Sequence, residues 1–329
     1  MRISQIANSI QNTDIPAKLP VMIWGKPGIG KSDMIAQVAE NLNLDFVDIR
    51  LNTLEPVDVR GYPFRDPEQN TMHFAPSAEF PRDPDWKGII CLDEINSAPR
   101  ATQAAAYQLV LNRRVGEYVL PKDAHIIAAG NYVEDKAVVE DMPTPLRNRF
   151  VHYFAEPNLD DWVLWANKND VDFRLISFLR FRPDLLFQFD SDAFAFATPR
   201  SWSMLDRKLK HLDEPEKELE SFTGVVGEGP GAEFVGFLRI QKDMPDLDIA
   251  ILNPKTTKVP EQGAALYATA AGLATKANSQ NIDNIFIYAE RLPGEFQVLT
   301  IKDIMQRDPS MMETAAMLNW AAKNSNLIL

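Results

Sequence analysis

Gly25-Lys26-Pro27-Gly28-Ile29-Gly30-Lys31-Ser32 has the residue types and the spacing to hold a string of phosphates. Glycines let the backbone curl until consecutive N–H groups point into one concavity, and a helix starting there adds the positive end of its dipole. In that frame Lys31 supplies a point charge to the β- and γ-phosphates, and the Ser32 hydroxyl is placed to ligate a Mg²⁺ that bridges them. Asp33 closes the stretch that would line the nucleotide. The flanks fit the chemistry. Pro20-Val-Met-Ile-Trp24 reads as a short buried strand, and Met34, Ile35, Val38, Ala39 and Leu42 recur at helical spacing. Strand, loop, helix is the frame this loop requires, so a nucleoside triphosphate with Mg²⁺ is the expected ligand.

Further along, Gly88-Ile-Ile-Cys-Leu-Asp93-Glu94 places two acids at the end of an apolar run, as in a central strand ending at a Mg-nucleotide site. Asp93 would hold the Mg²⁺ shell, directly or through water, and Glu94 would polarise the water that attacks the γ-phosphate. Cys91, inside the run, reads as a small core residue. Another strand, Ala124-His-Ile-Ile-Ala-Ala-Gly130, ends at Asn131. Its amide would bond the γ-phosphate or the attacking water; an Asn after Gly also forms turns, and the local sequence fits both. Met142-Pro-Thr-Pro-Leu-Arg147-Asn-Arg149-Phe then sets two arginines before one more apolar strand. An exposed Arg there pairs with acids of its own subunit or reaches a neighbour's nucleotide, and the residues alone fit either.

These positions need a scaffold. Ile3, Ile6 and Ile10 mark a first helix, and strands are expected near 20–24, 45–51, 88–92, 124–129 and 150–154, interleaved with helices. That pattern predicts a P-loop three-layer αβα core with a parallel sheet, the site lying at the carboxyl ends of its strands. Between the second strand and Asp93, Pro56, Pro63, Pro67, Pro76, Pro81 and Pro84 are expected to forbid a regular helix. The segment reads as a projecting surface or hairpin for partner or pore contacts, or as a passive excursion. Beyond Glu156 the pattern turns helical, with a helix start at Asp160-Asp161-Trp162 and helical spacing over 173–181, 203–212, 263–277, 283–292, 301–307 and 311–323. The expected division is 1–156 for the nucleotide-binding core and 157–329 for an α-helical lid with a helical C-terminal extension. Gly224, Gly227, Gly229 and Gly231 lack a strand-to-helix frame and a lysine, so a linker is expected there.

Composition narrows the class. With 329 residues, 45% hydrophobic and 24% charged, the chain can bury a core in two domains or in one with an extension. No apolar stretch approaches the ~20 residues of a membrane span, and Met1-Arg-Ile-Ser-Gln-Ile carries no signal-peptide core, so a cytoplasmic protein without a membrane partner is expected. The single cysteine cannot close an internal disulfide, which suits a reducing compartment. His73, His125, His152 and His211 show no ligand spacing. A net charge of −12 argues against general nucleic-acid binding. The basic run Arg207-Lys208-Leu-Lys210-His211 leads into Asp213, Glu214, Glu216, Glu218 and Glu220 and reads as a solvated helix face.

In order along the chain, the phosphate loop, Leu92-Asp93-Glu94, Asn131, Arg147-Asn148-Arg149-Phe150 and Thr198-Pro199-Arg200 resemble the Walker A, Walker B, sensor 1, arginine-finger and sensor 2 elements of AAA+ ATPases. Several stretches are similar more narrowly to the MoxR-type group of the dynein-related AAA+ set: Glu55-Pro-Val-Asp58-Val-Arg60-Gly61, Gln103-Ala-Ala-Ala-Tyr-Gln-Leu-Val, Arg149-Phe-Val-His, Ala197-Thr-Pro-Arg200-Ser-Trp202, Val226-Gly-Glu-Gly and Glu290-Arg-Leu-Pro-Gly-Glu-Phe. The likeness covers nearly the whole chain. It implies an ATPase in which Lys31, Ser32, Asp93, Glu94 and Asn131 form the cis half of the site. Arg149, next to the Phe, would be the finger given to the adjacent subunit, with Arg147 its rival. Arg200 would report the γ-phosphate to the lid, or else cap its helix or join an ion pair. The resemblance also implies a homo-oligomeric ring, most commonly a hexamer, that remodels or assembles protein partners, among them proteins with a von Willebrand factor A domain. A nucleic-acid motor or loader, and a slow ATP-gated switch or scaffold, are the alternatives. The chain departs from the pattern at Lys26, where such loops often carry an uncharged residue, and it has no clear aromatic-hydrophobic-Gly pore loop.

Overall fold

The structure, a computed structural model, describes residues 1–132, 142–241 and 244–324. The chain divides into two compact units, Met1–Pro157 and Asn158–Leu329.

In the first unit the strands are β1 (Val21–Trp24), β2 (Asp45–Arg50), β3 (Tyr62–Asp66), β4 (Thr71–Ala75), β5 (Lys87–Asp93), β6 (Arg114–Val115), β7 (Tyr118–Val119), β8 (Asp123–Gly130) and β9 (Val151–Phe154). Five of them form one parallel sheet in the order β2-β5-β8-β1-β9. Its inner strands are continuous apolar runs because both faces are covered, whereas the edge strands β2 and β9 stay half exposed. Met22, Ile90, Leu92, Ala128 and Leu109 lie in one core cluster of this unit. The chain leaves β1 toward β2 at one edge and later returns across β1 to reach β9 at the other. Such a reversal of strand order opens a crevice at the carboxyl ends.

All five sheet strands fall where the apolar runs predict them. The proline-rich stretch corrects the expectation of no regular helix: it opens with a one-turn helix, Pro56–Arg60, and continues into the antiparallel β3–β4 hairpin. Pro56 sits in the first helical turn, where a missing N–H costs nothing. Gly61 turns the chain into the hairpin at φ 102°, and a side chain there would strike the Ala75 carbonyl. The short β6–β7 hairpin carries no sequence signal strong enough to anticipate it.

Among the described residues, the named elements of the second unit are all helices, joined by loops in which one bridge pairs Gln188 with Ala197. One of its cores gathers Phe178, Trp202, Phe222 and Phe234; the other gathers Leu273, Ile285, Tyr288, Phe296 and Trp320. The glycine cluster is a correction to the expected linker. Gly224 lies inside the Leu219–Val226 helix, Gly227 turns the corner at φ 93°, and Gly229 and Gly231 belong to the Glu228–Gln241 helix. A Cβ at Gly231 would come within 2.8 Å of the Thr223 backbone, so there the small residue serves close helix packing rather than flexibility.

Inside this unit Arg180 makes a two-pronged ion pair with fully buried Asp303, at 2.5 and 2.6 Å, and Asn167 donates to the same carboxylate. Removing one partner strands a buried charge. Arg180→Ala is expected to destabilise this unit by about 3–5 kcal/mol, read as a lower urea midpoint for its helical signal.

Candidate functional site

At the carboxyl end of β1 the chain enters the Gly25–Ser32 loop. Gly28 and Gly30 take φ of 75° and 96°, conformations that side chains resist, and the Lys31–Asn41 helix begins directly after them. No side chain caps that helix, so its first N–H groups point outward as an anion-binding end. The helix is held from below by buried Met34, Ile35, Val38 and Ala39.

Lys31 is 9% exposed, and its Nζ donates to the carbonyls of Gly25 (2.7 Å) and Lys26 (3.0 Å) and to Oδ1 of Asn131 (2.9 Å). Ser32 Oγ donates to Asp93 Oδ2 at 2.7 Å. Since β8 lies between β1 and β5, Asn131 at its tip stands between the loop after β1 and the acids after β5. Three strand ends thus bring Lys31, Ser32, Asp93 and Asn131 together. A phosphate chain placed here would meet a cation, backbone donors and an amide, and a divalent cation would find hydroxyl and carboxylate oxygens, the hard donors Mg²⁺ takes.

Glu94 follows Asp93 in the left-handed region, at φ 53° and ψ 34°, which is uncommon for a residue with a side chain and recurs at functional sites. Its N–H donates to Asp93 Oδ1 at 2.9 Å, and its carboxylate accepts from Asn52 Nδ2. Acids crowd this corner. Burial pushes the Asp48 carboxyl up, and nearby Asp93 pushes it the same way against Arg50. Burial, then Asp93 and Asp48, raises the Cys91 thiol well above its usual range, so it stays an inert core residue. A bound cation is what would relieve such crowding.

Two residues of this constellation escape the sequence. Asn96 is 1% exposed and clamps the backbone of Asn131, accepting from its N–H (3.2 Å) and donating to its carbonyl (2.7 Å). Gly130 makes room for it, because a Cβ there would lie 2.5 Å from Asn96 Oδ1. Asn52, after β2, is the other. Asparagines outside a recognisable strand end carry no pattern, and only the strand order brings these two to the site.

The remaining candidates stand apart. Asp33 is exposed in the first turn of its helix. Arg147 and Arg149 are both exposed on the turn between the Thr144–Arg147 helix and β9. Arg147 Nη2 donates to Thr144 Oγ1 at 3.2 Å, whereas among the described residues no group engages the guanidinium of Arg149. Arg200 belongs to the second unit, exposed in the first turn of the Pro199–Leu209 helix. Thr198 and Ser201 cap that helix reciprocally, which leaves Arg200 without a capping task.

Residues 20–152 match the family described as AAA_3, ATPase family associated with various cellular activities (AAA), a match confined to the first unit. No curated protein matches the chain at a significant level. Among solved structures it is similar to NtrX from Brucella abortus, at 14% identity over 92% of this chain and 67% of that one, with a TM-score of 0.42. It is also similar to a mutant of RuvB from Thermotoga maritima, at 14% identity over 87% of each chain, again with a TM-score of 0.42. Among the described residues no helix is long and apolar enough to cross a membrane.

Proposed function

We propose that this chain, whose residues 20–152 match the AAA_3 ATPase family, hydrolyses ATP to ADP and phosphate at an interface between copies of itself and uses the cycle to remodel or assemble protein partners. The observation that carries the reading is the junction of Lys31, Ser32, Asp93 and Asn131 at one end of the sheet. Mg²⁺, held by Ser32 and Asp93, would neutralise charge on the β- and γ-phosphates. Lys31 would turn from the loop carbonyls to the phosphates. Glu94 takes the proton of the attacking water as it is oriented against the γ-phosphorus. Asn131, clamped by Asn96, offers its amide to the γ-phosphate or to that water. Arg149 is the group offered to the next copy's nucleotide, with Arg147 its rival, and Arg200 would report nucleotide state to the helical lid at 157–329.

On this reading the working form is a cytoplasmic ring, a hexamer of MoxR type, and its partner is a protein such as one with a von Willebrand factor A domain. Lys31→Ala is expected to weaken ATP binding roughly 10- to 100-fold by removing charge-assisted bonds to phosphate, measured by titration with a fluorescent ATP analogue. The partner is tested with Glu94→Gln as an ATP-locked trap in native lysate, bound proteins being identified by mass spectrometry with and without ATP. ATP-dependent capture of a von Willebrand-type protein supports remodelling. Capture of replication or repair proteins that nuclease abolishes would replace it with a nucleic-acid motor. Turnover that stays slow with every captured partner would make the protein a switch.

A further inference from the structure

His152 lies on β9, and the parallel register sets Met22 opposite His152 and Trp24 opposite Phe154, so Trp24 and His152 are diagonal neighbours across β1 and β9. Their rings are nearly parallel, with centroids 6.1 Å apart. Trp24 Nε1 and His152 Nδ1 are 2.8 Å apart, and His152 Nε2 is 2.7 Å from the carbonyl oxygen of Arg147. An indole N–H only donates and a carbonyl only accepts. Neutral His152 therefore accepts at Nδ1 and carries its proton on Nε2, and the two neighbours fix that tautomer.

Each end of this bridge leads somewhere. Trp24 is the last residue before Gly25, where the phosphate loop begins. The Arg147 carbonyl ends the Thr144–Arg147 helix and also accepts from the Phe150 N–H at 3.3 Å, which closes the turn containing Arg149. Buried Phe150 packs edge-on against the imidazole, with centroids 6.3 Å apart. The turn is thus held by its backbone while the Arg149 guanidinium stays free among the described residues.

We infer that His152 is a positioning residue that pins the Arg147–Phe150 turn to the strand entering the phosphate loop, so that each copy's own loop sets the arginine it offers its neighbour. This rests on the reading of Arg149 as a group acting in trans. It adds a regulatory link within one subunit between the site it hosts and the site it completes.

Two variants split the bridge. His152→Asn places an amide oxygen near the position of Nδ1 and removes the donor to Arg147; His152→Gln carries an amide N–H toward the position of Nε2 and loses the acceptor for Trp24. In preparations whose assembly and melting temperature match the wild type, kcat should fall about tenfold in His152→Asn and in His152→Gln alike, at unchanged ATP affinity, because each variant breaks one end of the bridge. His152→Asn mixed with Glu94→Gln should recover activity above the sum of the two, because the Glu94→Gln neighbour supplies a properly held turn. Full kcat in either variant, or a loss that follows weakened ATP binding, overturns the inference. No recovery in that mixture, while Arg149→Ala mixed with Glu94→Gln does recover, overturns it alone. If neither mixture recovers, the trans reading has failed and the inference falls with it.

Discussion

Replacing Arg149 with alanine should lower steady-state ATP turnover by ~10³- to 10⁵-fold, the range for an arginine that neutralises transition-state charge on a transferring phosphoryl group. Equilibrium binding of an ATP analogue should change little, because charge develops on the bridging and γ-oxygens mainly as the bond breaks. Arg149 meets the requirements for that task better than its neighbour. It is exposed, has no partner among the described residues, and sits on a turn whose backbone is tied down at Arg147 and Phe150. Arg147 instead spends its guanidinium on Thr144. Phosphate release at saturating ATP, read beside the binding titration, separates a lost finger from a lost ligand. Arg147→Ala is the internal control, and a larger loss there than in Arg149→Ala would exchange their roles.

Glu94→Gln should cost ~10²- to 10⁴-fold in turnover, as removal of a general base does, and should keep Mg-ATP bound. The substitution preserves shape, and its amide oxygen can still accept from Asn52. Asp93 is untouched, so its bonds to Ser32 Oγ and to the backbone N–H at position 94 persist. What disappears is the capacity to take a proton. Rapid-quench measurement of a single turnover reads the chemical step itself; full activity in this variant would remove Glu94 from the mechanism.

How much of this could be read from the chain varies with the range of the interaction. The five sheet strands were legible because a parallel sheet covered on both faces demands unbroken apolar runs, such as Ile89 to Leu92. The Gly25–Ser32 loop was legible because its chemistry demands particular residue types at fixed spacing. Asn52 and Asn96 were not, since each lies in a short 3-10 turn after its strand with no pattern of its own until the order β2-β5-β8-β1-β9 sets it beside Glu94 or Asn131. The left-handed backbone of Glu94 leaves no trace in sequence, being imposed on a glutamate rather than signalled by glycine. The glycines from 224 to 231 pointed the wrong way, because glycine serves close packing as readily as flexibility and only the approach of Gly231 to Thr223 decides between them. His152 stood in plain view within a stretch resembling a known family. Its neighbours Trp24 and Arg147 give it a task that no local pattern carries.

The central claim is that a working site is built from two copies of this chain, and mixing inactive subunits tests it most directly. Arg149→Ala and Glu94→Gln proteins, each inactive alone, are combined under conditions where subunits exchange, exchange being followed by fluorescence transfer between labelled copies, and phosphate release is measured across mixing ratios. Activity that rises above both parents and peaks at intermediate ratios is the predicted result, because an intact Glu94 then faces an intact Arg149 across some interfaces. Activity that stays at the parental level at every ratio, with exchange demonstrated, would contradict the account.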